Sequence, residues 1–154
     1  MLNKDLTMAE IYPVLQEVLA SGGEFRFYPR GTSMLPLIRE GRDSVVLEAV
    51  EKPQKHDMCL YRRANGQFVL HRLMGWDAAG APVFCGDNQL TPEHGVPADA
   101  IIARVSAVYH GDKRKPVTAL SYRCYVRLHC FMPWRRLRFF PRRAWGFIKR
   151  KWIT

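Results

Sequence analysis

The feature that most restricts the fold is a series of short β-prone runs, separated by turn residues, between residues 24 and 109. The Asn65-Gly66 pair stands between two of these runs, and this dipeptide favours the tight turn of a β-hairpin. No long helical pattern interrupts the region, so the sequence predicts a compact, mainly β domain with antiparallel strands. The expected strands cover residues 24–29, 44–50, 57–63, 67–74, 82–85 and 100–109.

A short helix is expected over residues 7–20, ahead of the β region. Thr7 is a good N-cap, Glu10 lies three residues further along as in a capping box, and Gly22 with Gly23 ends the segment. Apolar residues recur at helical spacing and form one stripe, which should cover a side of the β domain. The residues of this stripe are Ile11, Val14, Leu15, Val18 and Leu19.

The last part of the chain differs from the rest in charge. The net charge is +10, but residues 111–154 alone hold thirteen Lys and Arg against one acidic residue, so the first 110 residues are nearly neutral. In this tail Arg alternates with aromatic residues, among them Trp134, Trp145 and Trp152. Such a composition is typical of a helical segment that lies in the interface of an anionic membrane. The less favoured alternatives are packing on the core with a solvated basic face, single-stranded nucleic acid and a protein partner, because the density of Trp and Phe suits a membrane better.

These patterns divide the chain into an N-terminal amphipathic helix (1–23), a β domain (24–110) and a basic aromatic tail (111–154). No window of about 18 uncharged apolar residues is present, and the N-terminus lacks the basic start and apolar core of a secretory signal. The four cysteines lack the spacing of a metal site, so the sequence predicts neither a metal nor a cofactor. We expect a cytoplasmic protein held peripherally on the inner face of a membrane.

Ser33 is the candidate nucleophile. It lies in the run G-T-S-M-L-P at residues 31–36, directly after a predicted strand. Glycine permits a turn that other residues resist, and proline fixes φ, so this serine should lie on a shaped loop. Such a loop exposes a hydroxyl beside free backbone N–H groups, as an acyl-transfer nucleophile needs. A turn without chemistry is the alternative for a serine considered alone.

His71 and Asp87 are the candidate base and its partner. His71 lies on the second strand of the predicted hairpin, and a strand holds an imidazole more rigidly than a loop does. Asp87 follows the next predicted strand, in the run G-D-N, where a carboxylate would orient the imidazole and stabilise the imidazolium. Considered alone, a half-buried strand histidine and a polar turn would account for the same two residues.

Taken in order, these segments resemble the conserved boxes of type I signal peptidases and of SOS-repressor-type self-cleaving proteases. The resemblance spans residues 25–108 and implies the mainly β catalytic fold of that family, with Ser33 at the position of the nucleophile. His71 stands where many bacterial members have a lysine, which is similar to the endoplasmic-reticulum and archaeal-like branch, and Asp87 matches the acid of that branch. The matching boxes are G-T-S-M-L-P (31–36), K-H-D-M-C-L (55–60), V-L-H-R-L (69–73) and G-D-N (86–88).

The resemblance implies a serine endopeptidase that removes leader or signal-like segments from a polypeptide bound as an added β-strand. We expect the backbone N–H groups of Thr32, Ser33 and Met34 to bind substrate and form the oxyanion hole. Asp43 and Asp57 match acidic positions that we interpret as supporting residues at the starts of strands. A non-catalytic member of the same fold, which binds a peptide, a membrane or nucleic acid, is the alternative.

Overall fold

The computed structural model describes residues 7–131, together with residues 133 and 137. Antiparallel β structure dominates, with two α-helices in the described part, so the expected mainly β class is confirmed. Each of the six expected strands is present with its ends within two residues of the prediction. In chain order the elements are α1 (Met8–Ala20), β1 (Phe25–Phe27), β2 (Asp43–Glu48), β3 (Met58–Arg62), β4 (Phe68–Trp76), β5 (Pro82–Cys85), a 3₁₀ turn (Ala98–Ala100), β6 (Ile101–His110), β7 (Lys113–Pro116) and α2 (Leu120–Cys130).

The strands form one sheet in the order β1-β2-β6-β3-β4-β5. The long strand β6 connects its two halves, because Arg104 pairs with Glu48 of β2 on one edge and with Cys59 of β3 on the other. β7 pairs with the C-terminal half of β6, on the edge that β3 leaves open. The predicted hairpin joins β3 to β4, and Gly66 in its turn has a φ of 85°, which glycine adopts readily.

α1 begins as the sequence predicts. The Glu10 N–H donates to the Thr7 hydroxyl and the Thr7 N–H donates to the Glu10 carboxylate, so the capping box is complete. Ile11 and Leu15 are buried against the sheet, whereas Val14 is 50% exposed. Val18 and Leu19 are partly buried against the same core, so Val14 is the one residue of the expected stripe that stays exposed.

One hydrophobic cluster joins both helices to the sheet. α1 contributes Ile11 and Leu15, and α2 contributes Tyr122 and Val126, which lie four residues apart and so share one helix face. Burying side chains of this size stabilises the fold by roughly 1.5–3 kcal/mol each. The strand residues of the cluster are Phe25, Phe27, Val45, Leu47, Met58, Leu60, Leu70, Ala103, Val105 and Val108.

The packed domain extends beyond residue 110, where the sequence analysis began a separate tail. β7 adds to the sheet, and α2 shares its core, so the domain reaches at least to residue 130. The basic composition of this stretch obscured the apolar spacing of Tyr122 and Val126. About half of the expected membrane-interfacial tail, including Trp134, Trp145 and Trp152, lies outside the described residues. No helix in the described ranges is long and apolar enough to cross a membrane.

Candidate functional site

Ser33 and His71 line the same cleft, whose volume is about 240 Å³. Ser33 comes from the turn between β1 and β2 and is partly exposed, whereas His71 is a buried residue of β4. Met34 and Ile38 line the cleft as well and are buried beneath the turn, at 4% and 2% exposure. Two residues that the sequence predicts as nucleophile and base thus line one opening, where the serine is the more exposed of the two.

The turn that carries Ser33 contains backbone donors that make no hydrogen bond within the described residues. Its own hydrogen bonds run from the Leu35 N–H to the Thr32 carbonyl and from the Ile38 N–H to the Met34 carbonyl. Within residues 7–131, the N–H groups of Thr32, Ser33 and Met34 donate no hydrogen bond. These are the three groups that we expect to form an oxyanion hole, and that role stays a prediction.

The G-D-N loop, residues 86–88, packs directly against the Ser33 turn. The Asn88 N–H donates to the Ser33 carbonyl at 2.7 Å, and the Asn88 side-chain amide donates to the Thr32 carbonyl at 3.1 Å. A Cβ atom on Gly86 would lie 2.6 Å from the Ser33 carbonyl oxygen, so this close approach requires glycine. The first and third residues of the loop therefore fix the backbone of the candidate nucleophile.

The middle residue of that loop, Asp87, forms a buried bidentate ion pair with Arg72. Arg72 Nε donates to Oδ1 at 2.8 Å and Nη2 donates to Oδ2 at 2.7 Å, and both side chains are fully buried. Tyr125 of α2 donates to Asp87 Oδ2 at 3.0 Å, while Arg72 Nη1 donates to the Tyr122 hydroxyl and the His56 carbonyl. Burial disfavours the guanidinium charge, but the Asp87 carboxylate outweighs it and raises the pKa of Arg72 well above its ordinary value.

Asp87 therefore binds the neighbour of His71 in the sequence. Residues 71 and 72 are consecutive on β4, and consecutive side chains of a strand point to opposite faces of the sheet. The contacts of Asp87 with Arg72 and Tyr125 connect the G-D-N loop to β4 and to α2. The expectation that Asp87 orients the His71 ring stays a prediction.

Two residues that the sequence analysis missed approach His71. The Tyr61 hydroxyl lies 3.2 Å from His71 Nδ1 and donates to Glu93 Oε2 at 2.7 Å, and Glu93 Oε2 lies 3.9 Å from the same ring nitrogen. Arg63 donates to both oxygens of Glu93, at 2.6 Å each, and these hydrogen bonds hold the pKa of Glu93 below its ordinary value. Tyr61 could have been found from the hairpin, since it lies two residues from Cys59, the strand partner of His71. Glu93 forms an isolated β-bridge with Phe84 outside the predicted strands, and the sequence carries no signal for it.

Asp43 and Asp57 lie at the starts of β2 and β3, as expected. Asp43 Oδ2 accepts from the Arg39 N–H at 2.9 Å, and Asp57 Oδ2 accepts from the Gln54 N–H at 2.8 Å. Each carboxylate thus closes the turn that leads into its strand, which is the supporting position that we expected.

Comparisons of the chain with protein-family models, with curated proteins and with solved structures found no match. The likeness to signal peptidases therefore rests on the four sequence boxes.

Replacing Arg72 by Met should lower the free energy of unfolding by about 3–5 kcal/mol, because it leaves the Asp87 carboxylate buried without its cation. The matched control is Arg104→Met, which breaks a pair with Glu48 whose side chains are 38% and 32% exposed. That exposed pair should contribute only about 0.2–1 kcal/mol. Urea unfolding of the two variants measures both losses, and equal small losses would contradict a structural role for Arg72.

Proposed function

We propose that this protein is a serine endopeptidase that removes leader or signal-like segments from polypeptides. The observation that carries the proposal is that Ser33 and His71, predicted as nucleophile and base, line one cleft. The free N–H groups of the Ser33 turn add the donors that acyl transfer requires.

In the proposed reaction Ser33 Oγ attacks the scissile carbonyl while His71 takes the hydroxyl proton. The negative charge that develops on the carbonyl oxygen is stabilised by the N–H groups of Thr32, Ser33 and Met34. His71 then gives its proton to the leaving amine, which departs and leaves an acyl group on Ser33. Water, deprotonated by His71, hydrolyses this ester and restores the serine.

An extended polypeptide is the substrate class that suits the cleft. The volume of the cleft, about 240 Å³, lies below the range of roughly 300–1,000 Å³ that is usual for pockets holding small molecules. A cleft of this size accepts one or two modest side chains of a longer chain. The apolar Met34, Ile38 and Leu70 in its lining favour small apolar side chains next to the scissile bond.

We propose an anionic membrane surface, on the cytoplasmic side, as a partner of the C-terminal part of the chain. One face of α2 is buried in the core, while the opposite face combines apolar with basic side chains. In the sequence, α2 is followed by basic, Trp-rich residues, and this composition suits the interface of an anionic membrane. Its exposed residues are Leu120, Arg123, Arg127, Leu128 and Phe131.

Ser33→Ala should abolish peptide cleavage and leave the protein folded, since loss of a nucleophile costs several powers of ten in kcat. The assay incubates the full chain with a library of proteome-derived peptides and detects new termini by mass spectrometry. His71→Ala should lose activity as well. Ser121→Ala on the exposed face of α2 and Lys55→Ala are the controls that should retain it.

Two results would contradict this assignment. One is cleavage by Ser33→Ala within tenfold of the parent rate. The other is activity that survives His71→Ala but is lost in Lys55→Ala, which would indicate a lysine base.

The full chain should co-sediment with vesicles that contain phosphatidylglycerol, and much less with vesicles of phosphatidylcholine alone. Basic residues near an anionic surface contribute about 1 kcal/mol each, so binding should weaken as salt is raised. The double variant Leu128→Ser, Phe131→Ser should bind more weakly than the parent, since it removes exposed apolar side chains from α2. Indifference to anionic vesicles, together with a gel shift of a single-stranded oligonucleotide, would favour nucleic acid instead.

A further inference from the structure

We propose that Tyr61 and Glu93 are positioning residues that hold the His71 imidazole with Nδ1 protonated, so that the lone pair of Nε2 takes the proton of Ser33. We call this pair the Tyr61–Glu93 relay. The inference rests on the proposed function, because it assumes that His71 is the base. Its test measures the protonation of the His71 ring nitrogens directly and does not require activity.

The directions of two hydrogen bonds define the tautomer. A tyrosine hydroxyl has a single proton to donate, and Tyr61 donates it to Glu93 Oε2 at 2.7 Å. The phenolic oxygen can therefore only accept from His71 Nδ1, which lies 3.2 Å away. In the neutral ring the proton then lies on Nδ1, and Nε2 keeps its lone pair.

The charges around the relay fix those directions. Arg63 donates one hydrogen bond to each oxygen of Glu93, which keeps this carboxylate ionised and purely an acceptor. Burial, followed by the hydrogen bond to Glu93, raises the pKa of Tyr61, so the phenol retains its proton. Cys59 faces His71 across the strand pair, and burial raises its pKa to about 12, so it contributes a neutral thiol.

Packing holds the Tyr61 hydroxyl in place. The side chain is fully buried, and its ring stacks on Phe84 with centroids 4.2 Å apart and planes 18° apart. Tyr61 and Cys59 share a face of β3, so the ring lies diagonally across from His71 and meets it edge-on at 6.2 Å. A hydroxyl fixed in this way leaves the imidazole one favourable orientation.

Glu93 also supplies a negative charge that stabilises the protonated form of the base. After Ser33 Oγ transfers its proton to Nε2, the imidazolium keeps its proton on Nδ1, and Glu93 Oε2 lies 3.9 Å from that atom. The carboxylate stabilises the cation, as the acid does in a Ser-His-Asp triad.

The test combines Tyr61→Phe and Glu93→Gln with NMR of the full chain carrying ¹⁵N-labelled histidine. Long-range ¹H–¹⁵N correlations report the tautomer, and the His71 signals are identified by their absence in His71→Ala. The parent should show Nδ1–H, and Tyr61→Phe, which keeps the ring stack on Phe84, should shift the ring towards Nε2–H. The matched control is Tyr12→Phe, which removes a hydroxyl from another tyrosine packed on a phenylalanine and should change nothing.

Kinetics provide the second readout, on a peptide found in the library. Tyr61→Phe should lower kcat about 10- to 100-fold, a part of the roughly 10²–10⁴ that a general base supplies, with little change in KM. Glu93→Gln should also move the acidic limb of the kcat profile to lower pH. Removing a carboxylate beside His71 lowers the pKa of the imidazole, so the neutral base persists into more acidic solution.

An Nε2–H tautomer in the parent, or an unchanged tautomer in Tyr61→Phe, overturns the inference. A tautomer that responds in a protein cleaving no peptide supports the relay and overturns the proposed activity. The two ideas therefore fail separately. If Tyr61→Phe does not fold, Glu93→Gln provides the test. An NMR titration that shows the same His71 pKa in Glu93→Gln as in the parent would also overturn the inference.

Discussion

The buried ion pair of Arg72 and Asp87 connects the parts of the molecule that form the cleft. Arg72 lies beside His71 on β4, Asp87 lies in the loop that packs on the Ser33 turn, and Tyr125 of α2 donates to the same carboxylate. Removing two charges from water costs several kcal/mol per ion, and only good geometry with further hydrogen bonds repays it. The bidentate pair with its two tyrosine partners meets that condition, so the relative positions of Ser33 and His71 depend on it.

Successive side chains of β4 point to opposite faces of the sheet, so Arg72 and His71 belong to two different hydrogen-bond networks. The side chain of Arg72 meets the G-D-N loop and α2, while that of His71 meets Tyr61 on the other face. A one-residue change of register would move each side chain to the opposite face of the sheet, placing the Arg72 guanidinium beside Tyr61. The register that pairs His71 with Cys59 is therefore a condition for the proposed chemistry as well as for the fold.

The strands and the start of α1 could be predicted because their signals are local. Turn residues such as Asn65 and Gly66 mark strand ends, and Thr7 with Glu10 marks a helix start. Ser33 and His71 were found through motifs. Tyr61 and Glu93 were not, since the bond between them joins residues distant in the chain and depends on side-chain packing. The ion pair of Asp87 with Arg72 was not predicted either, because it depends on which face of the strand Arg72 occupies, and the G-D-N motif carries no such information.

Labelling with a serine-directed fluorophosphonate tests most directly whether His71 activates Ser33. The reagent needs no knowledge of the natural substrate, and mass spectrometry of the digested full chain locates the adduct. The account predicts a single adduct on Ser33 that forms at least about a hundredfold more slowly in His71→Ala, as expected for the loss of a general base. An adduct on another serine, or labelling of Ser33 at the same rate without His71, would contradict it.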